Sequence, residues 1–390
     1  MDFNIRYDGH AYRSWLWSTA KPAFSTAMTK LQDMPEIHRE NLIRFLTTQD
    51  DKELTGHDSK VIRNIEGGGG TMSLPGRRHL DAKPLVRAAI QSAFQALDRD
   101  MIENAKPDPD GSQHPRRIKV VSSGSCAVVA NISGTDLYVA NSGDCAAVLG
   151  VRNDATGDWQ ARPLTRDHTA DNAAEVQRIR SAHPDNEYAS ILQQNRLLGQ
   201  LYPLRAFGDV RFKWDAKSQR DYLSPFLPPG VDPVPHGLHT PPYLTCFPEV
   251  FYHRLQPSDK FLVLASDGLW ELLQPIQVVN LVSDHLLGQQ TLTEYVRPPH
   301  ATFMEVLDEL RQRHTKGTRP VPLDRNAATH LIRNALGGYG VNPAMQYKDL
   351  HFYITLRDGQ ARSFRDDITI IIIYFDEHYL RSRVDPDAWR

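Results

Sequence analysis

Two carboxylates stand where apolar runs end and begin. Residues 261–265 are apolar and lead through Ser266 into Asp267 and Gly268, while Asp366 and Asp367 open a second apolar run, residues 368–375. If the two runs are neighbouring antiparallel strands, the end of one lies beside the start of the other. Asp267 and Asp366 then share one rim of a sheet. Carboxylates packed that closely repel, and a hard divalent cation such as Mg2+ or Mn2+ is the usual remedy. The chemistry this points to is metal-dependent hydrolysis, in which carboxylate-held cations lower the pKa of a water and offset charge on a phosphoryl group.

Two further carboxylates belong with this pair if they converge on the same rim. Asp144 closes Asn141-Ser142-Gly143-Asp144, read as a hairpin turn in which Gly143 allows unusual dihedrals. Asp8-Gly9-His10 near the start is another Asp-Gly pair, with a histidine suited to donate a proton to a leaving alkoxide. Taken singly, each of these is more simply a turn residue. Only their joint arrival at one place makes a site.

The elements that must position them read as strands and helices in alternation with loops. Residues 84–101 carry Val86, Ala89, Ile90, Ala93, Phe94 and Leu97 at helical spacing. Residues 120–132, 136–141 and 145–150 read as a three-stranded meander with tight turns. Asn172 and Glu175 have the spacing of a capping box, which predicts a helix with Ala173, Val176 and Ile179 inward. Residues 249–253, 261–265 and 368–375 are expected strands, and residues 277–287 and 326–336 expected helices. Residues 47–83, with four successive glycines, and the proline-rich residues 215–243 read as surface loops. Antiparallel strands with a few helices give an α+β fold: two stacked, mainly antiparallel sheets flanked by helices, a four-layer α-β-β-α sandwich.

Bulk numbers exclude several classes. The chain has 390 residues, 40% hydrophobic and 24% charged, which suits a packed core in water. Lys+Arg 45 against Asp+Glu 47 leaves a formal charge of −2, so no field draws it to nucleic acid, and residues 114–119 read as a solvated basic loop. Three scattered cysteines (Cys126, Cys145, Cys246) suggest neither zinc nor a disulfide framework. No apolar run reaches the roughly 18–20 residues of a membrane span. Residues 1–30, with Asp2 and Asp8, lack the acid-poor character of a transit peptide.

Seven blocks in order resemble the metal-dependent type 2C Ser/Thr protein phosphatases: residues 8–11, 124–127, 141–144, 164–168, 205–209, 266–270 and 365–369. The stretches 196–214, 239–245, 247–250, 252–264 and 326–333 look most like the branch of that family that acts on the pyruvate dehydrogenase complex. The resemblance implies two, or with Asp144 three, Mg2+ or Mn2+ ions between the sheets. Asp8 would bridge two of them and the carbonyl of Gly9 would bind one. Asp267 and Asp366 would complete the protein ligands, and His10 would match the general acid. Arg205 to Asp209 would belong to the substrate-side framework. The implied substrate is phosphoserine on the pyruvate decarboxylase subunit in the mitochondrial matrix, with docking to the lipoyl-bearing acetyltransferase core.

The chain also departs from the family. Members carry a phosphate-gripping arginine and an acidic pair upstream of the Asp-Gly-His block, whereas seven residues precede Asp8 here. The expectation is one type 2C domain over residues 1–390 without the first strand region. That leaves a phosphatase for the pyruvate dehydrogenase complex, a phosphatase for another mitochondrial phosphoprotein, and a pseudophosphatase that binds a partner.

Overall fold

The computed structural model describes residues 2–7 and 16–19 by their backbone, and residues 83–287, 298–308, 324, 326–357 and 360–384. One sheet has five strands in the order β1 (Asp2–Tyr7), β11 (Ile370–Phe375), β10 (Asp259–Ala265), β5 (Ala146–Arg152) and β6 (Trp159–Pro163). The other has four, in the order β2 (Leu16–Thr19), β3 (Ala127–Ser133), β4 (Asp136–Ser142) and β9 (Glu249–Arg254). All pairings are antiparallel except β1 with β11. A two-residue pair, β7 (Leu192–Gln193) and β8 (Arg196–Leu197), stands apart.

Alternate side chains of the central strands go to different cores, as a period of two requires. Leu262, Leu264, Ile371 and Ile373 meet Val128, Ala130, Leu137 and Val139 of the second sheet. Phe261, Val263, Ile370 and Ile372 face the opposite way, onto α5 (Pro275–Leu287) and α6 (Ala327–Gly337) through Val278, Val282 and Leu331. On the far side, Val129 and Tyr138 pack on Ile90 and Phe94 of α1 (Lys83–Ala105). Both central strands are buried on both faces, which is why their sequences are unbroken apolar runs. The layers run helix, sheet, sheet, helix, so the expected α+β sandwich is the architecture found.

Several expectations change in detail. Residues 145–150 do not continue a meander: β3 and β4 pair in one sheet, while β5 lies in the other. Asn141 to Cys145 therefore crosses between sheets, and Asp144 lies in that crossing rather than in a hairpin turn. Burial along both β4 and β5 removes the one-sided pattern that would have told the two topologies apart. Val120 and Val121 end a helix, α2 (Pro115–Ser122), which also takes up most of the supposed basic loop. Proline at its first position supports that start.

Helix α3 (Ala173–Ser181) begins at Asn172, whose side chain accepts from Ala174 N–H. Glu175 does not close the capping box; it is buried and held by arginines. Ile179 is buried as expected, but Ala173 is exposed. Residues 215–243 include α4 (Ala216–Leu223), capped by Asp215, and its Leu223 packs with Trp214 and Val121. Two helices had no sequence expectation: α7 (Pro343–Thr355) and α8 (Glu377–Val384). In α7 the apolar residues Met345, Phe352 and Ile354 are exposed, so no single inward stripe exists to be read. The supposed loop from 47 to 83 lies almost wholly outside the described residues. Cys126, Cys145 and Cys246 are buried free thiols. Among the described residues no helix is long and apolar enough to cross a membrane.

Candidate metal centre

Strands β10 and β11 are antiparallel neighbours, with Ala265 paired to Ile370 at the rim. Just beyond, the two connecting loops are laced together. Ser266 N–H donates to Thr369 O at 3.1 Å, Thr369 N–H donates to Ser266 Oγ at 3.0 Å, and Ser266 Oγ donates to Asp367 O at 2.9 Å. Gly268 is required here, because a Cβ at that position would lie 2.7 Å from Asp367 O. Asp267 opens the single helical turn Asp267–Trp270, which Trp270 Nε1 ties back to Ala265 O at 3.0 Å. The same lacing holds Asp366, whose Oδ1 accepts from Asp367 N–H at 2.7 Å.

The sheet crossing delivers Asp144 from the other side. Gly143 has φ +108°, and a Cβ there would lie 2.2 Å from Cys126 Sγ and 3.0 Å from Arg205 O, so only glycine fits. His168 bonds the crossing twice: its Nδ1 accepts Gly143 N–H at 3.1 Å and its own N–H donates to Gly143 O at 3.0 Å. Burial, and then the charge of Arg205, push the His168 pKa down to about 4. The ring is therefore neutral at pH 7, with its proton on Nε2. Asn141 Nδ2 donates to Gly143 O and to Arg166 O, both at 3.1 Å.

Beneath the crossing lies an ion pair. Arg205 grips Glu175 with two nitrogens, one bond being Nε to Oε2 at 2.9 Å, and Arg178 Nε adds a third donor at 3.0 Å. Arg205 Nη1 also donates to Phe247 O at 2.6 Å. Burial would raise the Glu175 pKa, but the bonds from Arg205 and Arg178 outweigh it and hold the carboxylate below its usual range. Arg205 thus anchors the segment behind Asp144, in line with a framework role.

The carboxylates feel one another. Burial, then Asp144, Asp366 and Glu271, push the Asp267 pKa up to about 7. Asp167, although exposed, is raised to about 6 by partial desolvation and by Asp144. Burial, then Asp366 and Asp144, raise Glu271 as well. Asp144 is only 8% exposed. Among the described residues none of Asp144, Asp167, Asp267, Glu271 and Asp366 forms an ion pair with Lys or Arg. Asp144 is buried, Asp267 and Asp366 are half-buried, and Asp167 and Glu271 are exposed. Mutually repelling carboxylates without a cationic partner form an oxygen-only donor set that fits a hard divalent cation. Among the described residues, however, no three His, Cys, Asp or Glu side chains stand close enough to form a coordination cage. Coulomb coupling reaches well beyond a metal–oxygen bond of about 2.1 Å, so ligands set apart this way would share ions through waters.

Of the expected residues, Asp144 and Asp366 lie near enough to Asp267 to raise its pKa, without a three-ligand cluster among the described residues. Asp8, Gly9 and His10 lie outside the described residues. Strand β1 enters with Asp2 beside Ile370 and ends with Tyr7 beside Phe375. Those two ends of β11 are roughly 17 Å apart at about 3.3 Å per residue. Glu271 and Asp167 were not singled out in the sequence, although Glu271 stands four residues after Asp267, one helical turn on. Nothing in the sequence marked Asp167 beyond its place in the 164–168 block.

A family model described as protein phosphatase 2C matches residues 32–313, a span that contains Asp144, Asp167, Asp267 and Glu271. The mitochondrial pyruvate dehydrogenase (acetyl-transferring)-phosphatase 1 of Rattus norvegicus is 42% identical over 306 residues, 75% of this chain and 55% of that protein. Phosphatase 2 of the same description from Homo sapiens is 42% identical over 314 residues, covering 76% of this chain and 56% of that one. A protein phosphatase 2C homolog of Schizosaccharomyces pombe is 38% identical over 307 residues, 75% of this chain and 63% of the homolog. The chain spans a little over half the length of the mammalian relatives it matches.

Proposed function

Because the chain belongs to the protein phosphatase 2C family, we propose that it hydrolyses phosphoserine on a protein, using Mg2+ or Mn2+ at the rim shared by β10 and β11. The observation that carries this reading is the pairing and lacing that set Asp267 and Asp366 at adjoining ends of β10 and β11, with Asp144 and Glu271 within electrostatic reach. Two or three divalent ions bound there would supply an ionised water at neutral pH and offset charge on the phosphoryl oxygens. Asp267 and Asp366 would be protein ligands, and Asp144 would serve a further ion. Strand β1 ends with Tyr7 beside Phe375, at the end of β11 away from this rim, so Asp8, Gly9 and His10 are left out of the proposed metal centre.

The chain's own contribution is placement. The Ser266–Thr369 lacing holds Asp267 and Asp366 at a fixed separation before any ion arrives. The neutral His168 and the Arg205–Glu175 pair hold the crossing that carries Asp144. Preorganised ligands need not be repositioned during reaction. Likeness to the mammalian mitochondrial enzymes supports the pyruvate decarboxylase subunit of the pyruvate dehydrogenase complex as substrate, in the mitochondrial matrix. Docking would then be to the complex's lipoyl-bearing acetyltransferase core.

The test is release of phosphate from a phosphoserine peptide by the pure chain. Turnover should require Mn2+ or Mg2+, stop with EDTA, and fall at least about 100-fold in Asp267→Asn. Metal-independent turnover, or an unchanged Asp267→Asn enzyme, sinks the reading. A second reading is a pseudophosphatase that binds a partner, favoured by the lack of a three-ligand cage among the described residues. Calorimetry separates them: two Mn2+ ions bound together with turnover exclude it, whereas no Mn2+ binding favours it.

A further inference from the structure

Beside the acidic rim the surface opens into a cavity of about 430 Å³. Leu272, Leu336, Phe352, Tyr353, Phe364 and Arg365 line it, with Asp349 at its polar side. Ring pairs build its wall: Phe352 meets Phe364 at 5.5 Å between centroids and 88°, and Tyr353 at 5.3 Å and 71°. These rings are far from hidden, Phe352 being 47% exposed and Phe364 56%. A cavity of this size, apolar with a few polar groups, is the usual form of a ligand pocket.

The exposure is built in rather than incidental. Helix α7, which carries Phe352 and Tyr353, is locked onto α6 by Gln346, which is 2% exposed. Gln346 Oε1 accepts from Arg333 Nη1 at 2.7 Å, and its Nε2 donates to Asn334 Oδ1 at 3.0 Å and Gly338 O at 2.9 Å. Gly337 lets the two helices close, since a Cβ there would lie 2.8 Å from Gln346 O. With its polar side fixed, α7 has no freedom to turn the rings inward.

Position says what the pocket is for. Arg365 precedes Asp366 and Leu272 follows Glu271, so two lining residues are each the chain neighbour of a rim residue, about 3.8 Å away from Cα to Cα. An extended peptide advances about 3.3 Å per residue. A segment with its phosphoserine at the rim thus reaches the pocket within about one to three residues. Arg365 is held at the pocket edge by its Nη1, which lies 3.4 Å from Asp366 O and 3.8 Å from Asp367 Oδ1.

We infer that this pocket takes a large apolar side chain, aromatic or leucine-like, that flanks the phosphoserine of the protein substrate. The inference rests on the hydrolase reading above and adds to it the residue beside the phosphoserine. Phe352 and Phe364 are then specificity-determining residues, distinct from the carboxylates that hold metal.

The experiment uses the full chain with Mn2+ and phosphoserine peptides that carry Phe or Ala at each of the three positions on either side. At one position the Phe peptide should be favoured at least about tenfold in kcat/KM, mostly through KM. Phe352→Ala, and independently Phe364→Ala, should bring that ratio close to one by raising KM for the Phe peptide, while Phe352→Leu keeps most of it. A wild-type ratio near one at every position overturns the inference. So does an equal loss on both peptides in the variants, or concentration-dependent self-association abolished by Phe364→Ala without any peptide preference. Hydrolysis of p-nitrophenyl phosphate by the wild type reports the metal chemistry alone. If neither it nor any peptide is turned over, the hydrolase reading has failed. Fluorescence polarisation with the same labelled peptides then decides the pocket: tighter binding of the Phe peptide, lost in Phe352→Ala, supports it, and equal binding overturns it.

Discussion

Ser266 and Thr369 are joined twice, Ser266 N–H to Thr369 O at 3.1 Å and Thr369 N–H to Ser266 Oγ at 3.0 Å. Through Ser266 Oγ to Asp367 O the same hydroxyl reaches the residue after Asp366. One side chain thus sets the separation of Asp267 and Asp366. Ser266→Ala removes both hydroxyl bonds and leaves Thr369 N–H without that acceptor. It should cost about 1–3 kcal/mol in urea unfolding and about ten- to a hundredfold in kcat from misplaced ligands. A kcat within a factor of two of wild type would show that the lacing does not position the site.

Asp267→Asn should raise stability in EDTA while removing the stabilisation given by Mn2+. The crowding that pushes Asp267 up to about 7 is relieved when the side chain is neutral. A melting point a few degrees above wild type without metal, and little shift on adding Mn2+, is the expected pair of results. A variant that melts lower in EDTA and still gains from Mn2+ contradicts the placement of Asp267 among repelling carboxylates.

Arg205→Ala strands Glu175 as an unpaired buried charge and should cost about 3–5 kcal/mol. Arg205→Lys should not rescue fully, because one ammonium cannot reproduce the two-nitrogen grip on Glu175 plus the bond to Phe247 O. The double variant Arg205→Met, Glu175→Gln should recover part of the loss. Denaturant midpoints of wild type, Arg205→Met, Glu175→Gln and the double variant check this, and simple additivity of the two changes would refute a coupled pair.

Acid stability should depend on Asp324. Burial would raise its pKa, but hydrogen bonds from His330 and Arg333 outweigh that and hold it at about 2. The unfolded chain binds this proton more readily, near pH 3.9, so the contribution is full above that value. It is lost as the pH falls from about 4 to about 2, and amounts to roughly 2 kcal/mol. Asp324→Asn should therefore lower stability at pH 7 and flatten the loss between pH 4 and pH 2. A variant whose acid limb is as steep as wild type would rule out Asp324 as a contributor.

Much of the site was legible in the chain itself. The apolar runs ending at Ala265 and beginning near Ile370 demanded buried strands, and a carboxylate at the end of each demanded a shared rim if the strands paired antiparallel. Glycines at 143 and 268 marked close approaches, since a side chain there would collide with Cys126 or with Asp367 O. Alternation of burial along the central strands is fixed by the pleat, so the four-layer sandwich followed from which runs were apolar throughout.

Tertiary structure decided what no local pattern encodes. Runs buried on both faces look alike whether they join one sheet or two, so only the fold placed β5 across from β4 and turned Asn141 to Cys145 into a crossing. Glu175 has the spacing of a cap, yet the arrival of Arg205 from thirty positions onward made it a buried anchor instead. Asp167 and Glu271 became part of the acidic rim through the field of distant carboxylates, and fields act through space rather than along the chain. The exposed rings of α7 read as noise in sequence, because a helix that offers apolar residues outward has no inward stripe to announce it.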